Sequence, residues 1–177
     1  MSFLSTLEDS PRQALADLLQ DVRAGMLGVA APGNAAAGRP QPMTHYPETA
    51  AGQDGTRCLW FITSRQTDFA KAVGTACDAL YILISKDQDC HATLTGRLQP
   101  MQDRAKLDEL WGPMVAAWFA GGKDDPDLTL LRFDTDQAQI WASTPSALRF
   151  GFEVLRANLD DDHKPGIGRH ATITLAG

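Results

Sequence analysis

Two continuous apolar runs dominate the middle of the chain: Cys58-Leu59-Trp60-Phe61-Ile62-Thr63 and Ala79-Leu80-Tyr81-Ile82-Leu83-Ile84-Ser85. Runs of this length and character are expected of strands buried on both faces. Between them Phe69, Ala72, Val73 and Ala76 fall at helical spacing within Thr67 to Ala76. Ala92-Thr93-Leu94-Thr95-Gly96-Arg97-Leu98 alternates, which suits a half-buried strand. Leu128 to Phe133 and Ala138 to Ala142 read as two further strands joined by polar Asp134-Thr135-Asp136. A short strand is expected at 26–31 and a last one at 171–175. Strands separated by single helices at irregular intervals favour an antiparallel α+β barrel over a doubly wound sheet.

Ser10-Pro11-Arg12-Gln13 reads as a helix start, with serine as cap, proline at the first helical position and glutamine closing a capping box. Leu15, Leu18, Leu19 and Val22 supply its apolar face and Gly25 its stop, giving a helix over 10–24. Asp103 opens a second helix carrying Leu107, Leu110 and Trp111. Pro113 breaks or kinks it, and Val115, Trp118 and Phe119 continue its pattern to Gly121-Gly122. Residues 32–38 read as a loop, 149–154 fit strand or helix equally, and 158–166 read as a mobile acidic connection.

A length of 177 residues predicts a single domain over 1–177, with a core that needs no disulfide staples. The net charge of −6 argues against nucleic-acid and anionic-membrane partners, which require a basic footprint, but leaves room for a local basic site. Cys58, Cys77 and Cys90 form no C-x-x-C pair and read as buried free thiols in a reducing compartment. The N-terminus lacks the basic and apolar regions of a signal peptide, and no apolar run approaches a membrane span. These features predict a cytoplasmic protein.

The best local site signal is Thr63-Ser64-Arg65-Gln66-Thr67-Asp68, where hydroxyls and an arginine lie between a strand and a helix start. Free backbone N–H groups there favour an anion. The alternative is that Thr67 only caps its own helix. His45 and His91 are isolated and read as structural or surface residues, with His163 and His170 weaker candidates still. Asp124-Asp125-Pro126-Asp127 lacks the ligand period of a calcium loop and reads as solvated. Trp60, Trp111, Trp118 and Trp141 read as core, although Trp141 near a strand end could stack on a flat ligand. No nucleophile–base pair and no metal-ligand set stands out, so no catalytic residue and no metal ligand is assigned.

Taken in order, Trp60-Phe61-Ile62-Thr63, Gly96, Asp103-Arg104-Ala105-Lys106, Leu110-Trp111-Gly112-Pro113, the stretch Trp118 to Leu128 and Ile140-Trp141 carry a resemblance. The chain resembles the general-stress-protein branch of the pyridoxamine 5′-phosphate oxidase-like, FMN-binding split-barrel proteins, over about residues 14–145. The resemblance implies a six-stranded antiparallel split β-barrel with flanking helices, spanning about 26–145 and followed by a C-terminal extension over about 146–177. It further implies a homodimer with flavin, FMN or FAD, in clefts between protomers.

In that family a threonine, a serine and a basic pair hold the phosphate, and an R-P-M strand runs along the isoalloxazine. Thr63 matches the threonine, Thr67 replaces the serine, and Pro42-Met43 match the second segment, with Gln41 in the arginine's place. The basic pair falls on Asp68 and Phe69, and the family's W-D pair reads Trp141-Ala142. The candidate cofactor-binding residues are therefore Gln41, Pro42, Met43, Thr44, Thr63, Ser64, Arg65, Thr67 and Trp141. The implied function is a flavin-binding protein, a stress-related flavin oxidoreductase. The alternatives are a dimeric binding or sensing module of the same fold with weakened or lost flavin affinity, and the same fold around haem or a deazaflavin.

Overall fold

The structure is a computed structural model that describes residues 2–30, 38–48, 56–143 and 168–175. Two helices open the chain, α1 (Phe3–Asp9) and α2 (Pro11–Asp21). Ser2 and Ser10 cap them by accepting from Ser5 N–H and Gln13 N–H. The sequence pattern leaves α1 unannounced, since its apolar face rests on little more than Leu4 and Leu7. Helix α2 ends at Asp21, short of the expected 24, because Gly25 does not stop it. Gly25 instead belongs to β1 (Ala24–Val29), where a Cβ would press into the Ile82 carbonyl oxygen of the adjacent strand. Close strand approach is what requires glycine there.

Strands β2 (Gln41–Thr44), β3 (Tyr46–Pro47), β4 (Cys58–Ser64), β5 (Cys77–Ile84), β6 (Cys90–Met101), β7 (Leu128–Ser143) and β8 (Gly168–Thr174) complete one antiparallel sheet. Helix α3 (Asp68–Val73) follows β4, and α4 (Arg104–Leu110), α5 (Pro113–Ala116) and a 3-10 turn over Gly122–Asp124 lie between β6 and β7. The strand order is β2-β1-β5-β6-β7-β4-β3. Since β2 and β3 are separated only by His45, the segment 41–47 pairs with β1 at one end and β4 at the other. That segment closes the curled sheet into a six-stranded α+β split barrel, as expected. Strand β8 adds to the outer half of β7 and meets the expectation for 171–175. The readings for 32–37, 149–154, 158–166 and His163 lie outside the described residues.

Two strand readings need correction. Residues 128–143 form one strand, not two, because a bulge absorbs the polar centre. Thr95 pairs with Gln137 and Gly96 with Thr135, so Asp136 is the extra residue. Asp134 is held by Arg132 and Gln99, and buried Thr135 donates to the Thr56 carbonyl at 2.7 Å, so no turn is needed to satisfy them. Strand β5 is buried on one face only: Tyr81 and Leu83 are covered while Ile84 is exposed. In β4 the first four residues, Cys58 to Phe61, are covered on both faces, and the last three open toward solvent.

Leu15, Leu18, Leu27, Phe61, Tyr81 and Phe133 are among the fully buried side chains at the centre of the barrel core. Phe69 and Val73 of α3 join that core, while Leu107, Val115, Phe119 and Leu128 form a second cluster beside it. The three cysteines are buried and free, as expected, and burial pushes the Cys58 thiol to about 11 and that of Cys90 to about 12. No helix among the described residues is long and apolar enough to cross a membrane, and no three or more of their His, Cys, Asp and Glu side chains are grouped so as to hold a metal ion.

Candidate functional site

The strand-closing segment 41–47 and the open end of β4 converge on one cleft of about 360 Å³. Pro42, Met43 and Thr44 of β2 line one wall, with Pro42 and Thr44 exposed on one face of the strand and Met43 buried on the other, joined by Tyr46 of β3. Ile62, Thr63 and Ser64 end β4 on the facing wall, and Thr67 follows at the start of α3. Met114 and Val115 of α5 with Trp118 and Phe119 close the third side. The cleft thus offers hydroxyls at one end and thioether, aliphatic and aromatic surface at the other.

Six of the nine candidates meet in this cleft: Pro42, Met43, Thr44, Thr63, Ser64 and Thr67. Three do not. Gln41 stands at the edge of β2, with its amide turned to the Met43 sulfur at 3.9 Å. Arg65 is held elsewhere: its backbone N–H donates to Asp127 O and its guanidinium to Leu128 O, both at 2.7 Å. Its side chain lines a separate cavity of about 530 Å³ with Met101, Arg104, Lys123 and Asp124. Trp141 is remote from the cleft, half-exposed on β7, and stacks on His170 of β8 at 5.0 Å between ring centroids.

The hydroxyls differ in availability. Thr67 is committed to its helix, accepting from Ala70 N–H at 3.1 Å and donating to Ser64 O at 2.9 Å. The capping role weighed for Thr67 is therefore real. Ser64 Oγ accepts from Gln66 N–H at 3.1 Å and keeps its own hydrogen to give. Among the described residues of the wall, Tyr46 is the one titratable group, and burial pushes its phenol above the ordinary range, against a smaller opposing effect of Arg23. It is a neutral donor at pH 7.

The two residues in the place of a basic pair have separate settings. Phe69 is 3% exposed and anchors α3 to the core, so its position is structural. Asp68 is exposed at the first turn of α3, with Lys71 4.0 Å away. The Asp124 to Asp127 loop behaves as a self-capped turn: Asp125 accepts from the N–H groups of Gly121 and Asp127, and Asp124 pairs with Arg104.

The sequence reading missed Tyr46, Ile62, Met114, Val115, Trp118 and Phe119 as cleft residues. Trp118, read as core, is 82% exposed. Helix α5 ends at Ala116, so helical spacing no longer applies two residues on. Val115 and Phe119 do face inward as expected, and a tryptophan beyond the last helical turn was the available clue. Trp60 is buried as read, Trp111 packs half-buried on the second cluster, and Trp141 is an outer-face residue, not a core one. His45 is structural, with both ring nitrogens bonded inside the barrel.

The sequence model of a family described as pyridoxamine 5′-phosphate oxidase like matches residues 10–165. Among solved structures, one named for general stress protein 26, from Jannaschia sp. CCS1, is 34% identical, covers 94% of this chain and 98% of its own, and superposes with a TM-score of 0.68. The general stress FMN/FAD binding protein from Xanthomonas citri is 36% identical over 76% of this chain and 89% of its own, with a TM-score of 0.63. A protein from Clostridium acetobutylicum related to general stress protein 26 shares the fold at 20% identity, covering 78% of this chain and 89% of its own, with a TM-score of 0.57. No curated protein matches the sequence at a significant level.

Proposed function

The chain belongs to the pyridoxamine 5′-phosphate oxidase-like family, and on that premise we propose that it is a flavin-binding protein of the general-stress type. The observation that carries the proposal is the cleft itself, which gathers Pro42, Met43 and Thr44 with Thr63, Ser64 and Thr67. A relative named as an FMN/FAD binding protein, 36% identical, supports the same reading.

The residues fit a flat heterocycle carrying a polyol. Met43, Ile62, Val115, Phe119 and Trp118 offer apolar and aromatic surface to a ring and exclude water from its faces. Thr44, Thr63, Ser64 and Tyr46 offer hydroxyl donors to ring carbonyls and chain hydroxyls. A bound flavin supplies electron-transfer chemistry, and the protein supplies position and surroundings. The oxidoreductase role rests on that chemistry, since the described residues of the cleft wall include no acid–base pair. The functional unit we propose is a homodimer, with the cleft lying between protomers. A cytoplasmic location accords with three buried free thiols.

The second reading, a binding or sensing module that has lost flavin, is favoured by one observation: among the described residues, no cation lines the cleft. Titration of the apo protein with FMN, FAD and riboflavin, read by flavin absorbance and by tryptophan quenching, separates the two. Flavin binding with quenching that is lost in Trp118→Leu supports the flavin reading. No binding of any flavin leaves the module.

A further inference from the structure

We propose that Tyr46 and Arg23 form the ring-reading end of the cleft, a phenol donor backed by a guanidinium that recognises the carbonyl edge of a flavin's heterocycle. The proposal rests on the flavin reading of the same cleft and adds which residues determine recognition of the ring.

The Tyr46 phenol stands apart from the hydroxyls of Thr63, Ser64 and Thr67. Tyr46 pairs with Trp60 across β3 and β4, and Ser64 lies four residues further along β4. At ~3.3 Å per residue that is about 13 Å of strand. Ile62 lies between them, and Met43, Val115 and Phe119 line the same cleft. A polyol or a phosphate needs several donors, which the three clustered hydroxyls supply. A single phenol at the other end matches a single carbonyl oxygen of a ring.

The chain holds Arg23 beside that phenol. His45, between β2 and β3, donates its backbone N–H to the Arg23 carbonyl at 3.4 Å, and its ring Nε2 lies 2.9 Å from the Leu19 carbonyl. The link Val22-Arg23 between α2 and β1 is thereby fastened to the bend that leads into Tyr46. Tyr46 itself packs against both smaller apolar clusters, of which Leu128 and Trp60 are members. Arg23 is exposed, and its charge acts on the Tyr46 phenol against the larger effect of burial. A nearby cation favours negative charge on the phenol oxygen and so strengthens its O–H as a donor, while burial keeps the group neutral. The pair therefore offers a polarised donor with a positive charge behind it, suited to an electron-rich carbonyl edge.

The experiment compares dissociation constants of the full chain for lumiflavin, which is the ring alone, riboflavin and FMN. Tyr46→Phe should weaken all three by a common factor of about fivefold, and Arg23→Ala by about threefold. Arg23→Lys should recover much of the loss, because it keeps the charge. Arg23 is exposed, so the urea midpoint of its variants should stay at the wild-type value and the loss reads recognition, not folding. A loss confined to FMN assigns Arg23 to the phosphate and overturns the proposal. Wild-type affinity in either variant, or a wild type that binds riboflavin but not lumiflavin, also overturns it and leaves the flavin reading standing. Absence of binding by all three flavins to the wild type overturns both.

Discussion

His45 occupies the single residue between β2 and β3, and its tautomer follows from its partners. Nε2 lies 2.9 Å from the Leu19 carbonyl, which can only accept, so Nε2 carries the hydrogen. Nδ1 lies 2.7 Å from the Tyr81 hydroxyl, which itself donates to the Met43 carbonyl at 3.0 Å. One histidine therefore ties α2, β5 and the cleft-lining strand β2 together. Burial lowers its pKa below the ordinary 6.5, with the Leu19 bond opposing in part. The sign follows directly: the unfolded chain takes up a proton below about pH 6.5 and the folded chain resists it. Stability from this group is full above that pH and is lost as pH falls from there toward the folded pKa. The melting temperature should drop on acidification through this window. His45→Gln should cost about 1–3 kcal/mol at neutral pH, by leaving buried groups unpaired, and should flatten the acid slope. An unchanged slope in the variant would remove His45 as its source. The sequence read this histidine as structural or surface, and its two ring bonds inside the barrel make it structural. It could not name the partners, because Leu19 and Tyr81 lie 26 and 36 positions away.

At the scale of elements, β3 is two residues long and cannot be held by its ladder bonds alone. A charged clamp just beyond it does the holding. Glu48 accepts from Trp60 Nε1 of β4 at 3.0 Å and from Lys106 Nζ of α4 at 2.7 Å. Lys106 also reaches Glu109 at 2.6 Å, and both Lys106 and Arg132 lie within 6 Å of the Trp60 ring, at 5.7 and 5.8 Å. Burial opposes the lysine charge, but the bonds to Glu109 and Glu48 outweigh it and hold its pKa above the usual range. With side chains 11% and 14% exposed, the Lys106–Glu48 pair is close to buried, so removing one partner strands the other. Lys106→Ala should cost about 3 kcal/mol, and the double change Lys106→Met with Glu48→Gln should recover much of it. Urea unfolding of the wild type, Lys106→Met, Glu48→Gln and the double variant measures the coupling, and additive losses would reduce the clamp to two independent surface charges. Strands β4, β5, β6 and β8 were legible because apolar runs and alternation report local burial. The long β7 was not, since Asp134 to Asp136 looks like a turn until Arg132, Gln99 and Thr56 are seen to satisfy it. The bend at His45 was equally hidden, because ring closure is a relation between distant strands.

For the whole molecule, the cleft is closed on three sides by one chain, and its rim carries two exposed large apolar side chains, Met114 and Trp118. Exposed apolar groups gathered at a concave site mark a surface that something covers, whether ligand or protein. The homodimer we propose would supply both: a second copy seated against the rim would bury Met114 and Trp118 and complete the walls around a ring. The family resemblance named Pro42-Met43 and Thr63, which line the strand side of this cleft. The sequence reading missed the side formed by α5 and the turn after it, because there chain direction changes every few residues and no period survives. Sedimentation should give a species of twice the 19.2 kDa chain mass. Met114→Asp places a charge on the rim without touching the barrel core. It should shift the protein toward monomer and weaken flavin binding about tenfold or more, the two losses following the same protein-concentration dependence. A stable monomer that holds flavin as tightly as the wild type would show that the cleft is completed within one chain, and Trp118 would then be the ligand's cover rather than the partner's contact.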